Sequence, residues 1–133
     1  ESACANANAE PDSLAGYLIN TKTRGKAKQT QFATNLPFMW QNGAYPLNGY
    51  RVAVSNNVPS NLTKGSSTTV CSSAIFGSDW SNAVLGLFGA PDITVNPYSL
   101  DATGQVRITI NQFADFGVRQ PGAFAKIDDL LAG

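Results

Sequence analysis

The sequence contains no histidine, only two cysteines and few charged side chains. Without histidine there is no Ser-His-Asp or Cys-His arrangement, no His-ligated zinc and no ordinary proton shuttle near neutral pH. Cys4 and Cys71 lie far apart and form no Cys-x-x-Cys pair, so they read as two small buried thiols, with neither a disulfide nor a reactive site implied. Nine basic and nine acidic residues cancel. A neutral chain offers no electrostatic basis for sequence-specific nucleic acid binding, and no acidic run suggests a solvating tail. No apolar run reaches the ~20 residues of a membrane span, so no membrane partner is expected. The glycines form neither a GxGxxG nor a Walker pattern, and nothing calls for a cofactor or metal. The chain opens on Glu1 inside a helix-like tract rather than on methionine, and reads as a fragment.

What is present is apolar residues in short alternating runs: 43% of the chain is hydrophobic. A chain of this size buries about two-thirds of its unfolded surface as one domain. Ser2 to Glu10 is alanine-rich and reads as the end of a helix broken before Pro11. Tyr17–Ile19 reads as a strand, after which Asn20 or Thr21 can cap a helix through Gln29. Tyr50, Val52 and Val54 alternate with polar positions after the turn signal Asn48-Gly49. Asn57 to Ser72 reads as a long polar connection. Further strands are expected at Ala74–Phe76, Ala83–Phe88 and around Ile93 and Val95, since Gly86 and Gly89 disfavour a helix there. From Gln105 to Ile127 the chain looks like a framework for the rest. Val106, Ile108 and Ile110 alternate with Arg107, Thr109 and Asn111, which predicts one buried face. Phe113 to Val118 continues extended with Asp115 partly buried between Phe113 and Phe116. Pro121 ends the pairing, and Phe124 returns to an apolar environment. The sum is an α+β domain.

Little in this pattern carries chemistry. Asp79, Asp92, Asp101 and Asp115 could serve as a glycosidase-like pair, but no spacing brings two of them together and Asp92 and Asp101 sit in turn contexts. Lys22, Arg24, Lys26 and Lys28 could bind phosphate or line a solvated helix face, and overall neutrality favours the latter. Gln31 to Pro46 is a long stretch without period, free of charge and rich in rings and other large apolar side chains: Phe32, Phe38, Met39, Trp40 and Tyr45. A loop of this length in a compact domain usually has a job. One reading is an interface, and the plainer one is that these side chains fold under their own loop as a satellite of the core. A rival is a β-rich carbohydrate- or ligand-binding module that stacks its ligand on Phe38, Trp40 and Tyr45.

Leu47-Asn-Gly-Tyr-Arg-Val-Ala-Val-Ser-Asn-Asn-Val-Pro59, Ala74-Ile-Phe-Gly-Ser-Asp79, Asn96-Pro-Tyr98, Gly104-Gln-Val-Arg-Ile108 and Pro121-Gly-Ala-Phe124 follow one another in an order that resembles the major capsid proteins of tailed bacteriophages. The resemblance spans nearly the whole chain but only the carboxy-terminal part of such proteins. It implies the Hong Kong 97-type fold, with residues 1–133 forming an axial domain and strands of a peripheral domain. It implies a virion shell subunit, assembled in the bacterial host cytoplasm and without enzymatic turnover. Its partners would be its own copies in hexameric and pentameric capsomers, together with a portal, scaffold or maturation protease. By the same likeness Phe32, Phe38, Met39, Trp40 and Tyr45 would form the subunit contact near the capsomer axis, while Asp115, Pro121 and Phe124 would be structural. Three departures stand out. Arg51 stands where the family often has proline. Gly77-Ser78-Asp79 is one residue longer than the family's Gly-Asp, which predicts a local bulge. Leu100 follows Pro97-Tyr98-Ser99 where self-cross-linking members carry asparagine, so that cross-link is not expected.

Overall fold

The computed structural model describes residues 1–132, which form two compact units: Glu1–Asn82 together with the chain from Gln120 onward, and Ala83–Arg119. The first unit begins with a short helix, α1 (Ser2–Asn6), and strand β1 (Gly16–Ile19). Helix α2 (Thr21–Gln29) follows at once, because Asn20 keeps an extended backbone and its side-chain oxygen accepts the Lys22 N–H at 2.9 Å. The Asn20 amide also donates to the Val58 carbonyl at 2.6 Å, tying the cap into the interior, where Asn20 is buried. α2 buries none of its own side chains, and its last turn carries Lys26 and Lys28, favourable to the helix dipole.

Strands β2 (Arg51–Val54), β3 (Leu62–Lys64), β4 (Ser67–Gly77) and β7 (Phe124–Leu131) complete a five-stranded sheet with β1. β1 pairs parallel with β2 and antiparallel with β4. β4 also pairs with β3 and β7, and Cys71 faces Leu62 on one side and Leu131 on the other. β3 and β1 therefore share one edge of β4, and β7 takes the other. The register sets the two faces. Tyr17, Val52, Phe76 and Ala125 lie on one, while Leu18, Ala53, Ile75 and Lys126 lie on the other.

The core lies on the Tyr17 face. Phe76 is buried with Cys4, Ala9, Ala15 and Ala123, and Tyr17 and Tyr50 pack their rings against it at 4.9 and 5.3 Å between centroids. Both cysteines are buried free thiols. Small hydroxyls fill much of the remaining interior and each finds a partner: Ser78 donates to the Ala123 carbonyl, Ser72 to that of Pro59 and Ser73 to Asp128. Such pairing is what burial of a polar group demands.

Two expectations are corrected here. Asn57 to Ser72 is no plain connection: it holds β3 and the start of β4, joined through Gly65 at φ +59. Its side chains are mostly serine, threonine, asparagine and lysine, with only Leu62, Val70 and Cys71 apolar within the strands, so no hydrophobic alternation reveals them. The bulge expected at Gly77–Asp79 is absent. β4 ends at Gly77, and Asp79 instead accepts the Ser81 N–H and hydroxyl at the head of a 3-10 turn, Trp80–Asn82. Pro121 starts another 3-10 turn, Pro121–Ala123, just before β7.

The second unit is a single hairpin of β5 (Ala83–Asn96) and β6 (Arg107–Val118), so the two extended segments expected around Asp115 are one strand. Register divides it sharply. Ala83, Leu85, Leu87, Ile93, Val95, Ile108, Ile110, Ala114, Phe116 and Val118 share one face, broken only by Gln112. The opposite face carries Asp92, Thr94, Asn96, Arg107, Thr109 and Asn111 beyond the facing pair Phe88 and Phe113. The predicted alternation is present, but within these residues the apolar face stays open, with Ile108 63% and Ile110 65% exposed. The expected framework role of β6 is thereby corrected: it pairs with β5 alone, and the buried core belongs to the first unit.

Candidate assembly surfaces

The uncharged loop is built on the end of α2. The Met39 N–H donates to the Thr30 carbonyl at 2.8 Å and the Trp40 N–H to that of Ala27 at 3.2 Å, which fold the loop back along the last helical turn. Lys28 sits over the Trp40 ring at 5.7 Å, a cation–π contact. Met39 and Trp40 are accordingly half-buried. The apex turns the other way. A bridge between Gln31 and Phe38, with the Phe32 N–H donating to the Pro37 carbonyl, closes a tight excursion whose Phe32, Leu36 and Phe38 are exposed by 56, 51 and 47%. On the returning limb Tyr45 stacks under Arg51 at 5.8 Å.

The five residues singled out from sequence therefore divide. Phe32 and Phe38 project, Tyr45 is exposed at the base, and Met39 and Trp40 anchor the loop to its own helix. Leu36, missed in the sequence, projects with the first two, and its place in the same uncharged stretch was the available signal. Phe38, Trp40 and Tyr45 do not stack on one another. The ring pairs of this unit join Tyr17, Tyr50 and Phe76, and Trp80 with Phe124 at 5.3 Å.

Another apolar surface lies on the sheet face away from the core. Leu14, Ala15, Gly16, Leu18, Ala53 and Trp80 line an open groove of about 220 Å³ with Arg51 at its rim. Glycines make it possible. A Cβ on Gly77 would stand 2.8 Å from the Trp80 ring and 2.9 Å from that of Phe124, so only glycine lets Trp80 lie flat against the sheet. The Trp80 indole N–H donates to the Gly16 carbonyl at 3.1 Å, which leaves its ring as an apolar wall. Phe124 supports that wall from β7.

The carboxylates singled out from the sequence lie in separate local settings. Asp115, expected to be partly buried, is exposed, because Phe113 and Phe116 lie on opposite faces of a strand that this unit leaves open. Its carboxylate accepts the neighbouring Phe116 N–H at 2.8 Å. Asp79 holds its 3-10 turn, and the Asp101 side chain lies outside the described ones. Asp128 accepts from Lys126 at 2.8 Å and from the Ser73 hydroxyl at 2.5 Å, which together hold its carboxyl below the ordinary carboxylate value. Burial, opposed by the Asn48 side chain and aided by Glu1, raises the Tyr17 phenol. Among the described residues no group of three His, Cys, Asp or Glu side chains could hold a metal ion, and no helix is long and apolar enough to cross a membrane.

Comparison with known proteins agrees with this fold. A major capsid protein of Halomonas phage phiHAP-1 is 28% identical over 111 residues, 83% of this chain but 16% of the relative. The capsid of an empty GTA particle computed with C5 symmetry superposes with a TM-score of 0.62 at 16% identity, covering 93% of this chain and 42% of that one. A structure from Mycobacterium phage Ogopogo gives 0.67 at 16% identity, covering 97% and 47%. The chain thus spans less than half the length of these relatives and shares its α+β, Hong Kong 97-type fold with the solved ones. The Phage capsid family model matches residues 4–129, nearly from end to end, and the chain belongs to that family.

Proposed function

We propose that this chain is the shell-forming part of a tailed-phage major capsid protein, which associates with its own copies into pentameric and hexameric rings around the genome. The family match across residues 4–129 carries this reading. The first unit would supply the axial domain and the hairpin the strands of the peripheral domain. On this view the protein works by association alone and catalyses no turnover. It assembles in the host cytoplasm, where a portal, scaffold or maturation protease would act on the growing shell.

The Gln31–Tyr45 loop supports the reading. Interface cores are depleted of charge and enriched in rings, and this loop holds three apolar side chains outward while anchoring itself through Met39 and Trp40. Each such contact can be individually weak, because a subunit held by several neighbours at once gains avidity. Electron microscopy of the full-length protein, expressed alone or with its neighbouring genes, should show closed particles. The double variant Phe32→Ser, Phe38→Ser should stay soluble and folded, by circular dichroism and melting, while particles disappear. Normal particles from that variant would remove the loop from the contact.

A further inference from the structure

The first unit displays two apolar features that its own residues leave uncovered. The loop apex presents Phe32, Leu36 and Phe38. The groove between Leu14, Leu18, Ala53 and Trp80 stands open on the sheet, and none of the three apex residues lines it. We propose that the groove receives the loop apex of a neighbouring copy, so that each subunit gives its apex to one neighbour and takes that of the other. This rests on the reading of the loop as a copy-to-copy contact and names where the loop lands.

Size, polarity and symmetry each support the pairing. A closed apolar cavity of about 150 Å³ holds one benzene, so a groove of about 220 Å³ has room for a phenyl ring with a branched aliphatic beside it. The loop brings no charge to desolvate. The Trp80 N–H is taken up by the Gly16 carbonyl, and the Arg51 guanidinium lies over Tyr45, so the walls that an incoming side chain meets are largely apolar. Apex and groove are different surfaces, so a subunit can give its apex to one neighbour and keep its groove free for another. The contact repeats head to tail, and such contacts close into rings when the rotation allows. Family membership makes a second copy the occupant of choice, because copies of a shell protein must meet.

Full-length Ala53→Glu puts a carboxylate on the groove floor at an exposed position of an edge strand. It should fold and melt like the parent yet yield at least tenfold fewer particles. Mixed with Phe32→Ser, Phe38→Ser at concentrations high enough to populate a single weak contact, it should form a one-to-one complex that grows no further, because the mixture contains one intact apex and one intact groove. Sedimentation velocity reads both results. Independently, Phe38→Cys with Ala53→Cys should give an oxidised ladder of covalent oligomers ending at the ring size. Cys4 and Cys71, each 1% exposed, should not compete. Normal assembly of Ala53→Glu, absence of the mixed complex or a cross-link confined within one chain would each overturn the proposal. If Ala53→Glu unfolds, the groove is internal to the full-length subunit and the proposal falls as well. Assembly that survives in Ala53→Glu but is lost in the loop variant removes only the landing site. Assembly that survives in the loop variant removes the loop contact itself.

Discussion

The sheet unit and the hairpin unit use the same strand grammar to opposite ends. In the first, alternation delivers Tyr17, Phe76 and Ala125 to a face that α1 and Ala123 cover, and a small core results. In the second, a cleaner alternation over a longer stretch delivers ten apolar residues to a face that nothing in the unit covers. Pattern fixes where side chains point, whereas burial requires a second layer. An isolated two-stranded hairpin is marginal in water, and a contiguous apolar face of this extent marks an interaction surface.

The largest expected effect comes from separating the two. A peptide of residues 83–119 should show no cooperative unfolding in dilute solution. The first unit, closed by a short glycine-serine link from Asn82 to Gln120, which border one shallow groove, should keep a cooperative melt. Circular dichroism decides, and a peptide that melts cooperatively as a monomer would end the contrast.

A smaller effect compares one substitution in both units. Gly77→Ala must displace Trp80 and Phe124, an overpacking cost of about 1–3 kcal/mol. In Gly117→Ala the new Cβ meets nothing within 4 Å, so its unfolding free energy should match the parent's to within about 0.5 kcal/mol. Equal losses in denaturant titrations would show that the hairpin is packed after all.

The smallest effect is electrostatic. The Asp128 carboxyl lies below its ordinary 3.8, so the folded state favours its ionised form. The stability this contributes is present above pH 3.8 and is lost as pH falls through the lower folded value. Asp128→Asn should lower the melting temperature slightly at pH 6, and the gap to the parent should close towards pH 2.5. A gap that widens in acid would reverse the assignment.

Where local chemistry decides, the sequence was readable. Asn20 followed by a polar helix gave α2 with its cap, and Asn48-Gly49 turned as expected, with φ of +52 and +77. The alternation at Ile108 and Ile110 placed the hairpin's apolar face. What could not be read depended on distant or unpatterned residues. β3 is only Leu62, Thr63 and Lys64, too short to show a period, and is defined by its pairing with β4. The groove needs Gly16, Ala53 and Trp80 brought together from three stretches. Asp115 between two phenylalanines looked buried, yet a strand sends Phe113 and Phe116 to opposite faces, and both rings are exposed. Within the loop, rings that looked alike in composition were sorted into anchors and projections by two backbone hydrogen bonds to α2.

Halfway along the hairpin, Gly89, Ala90 and Pro91 stand against the single residue Gln112, between the pairs Phe88–Phe113 and Asp92–Asn111. Two residues are therefore in excess on β5, an even number, and Ile93 and Val95 return to the same face as Leu85 and Leu87. Removing Ala90 alone would rotate every residue beyond it and turn Asp92, Thr94 and Asn96 onto the apolar side. Relatives that keep this hairpin should therefore differ in length at this point by two residues or none, so that even a small genetic change here is screened for parity before it is screened for chemistry.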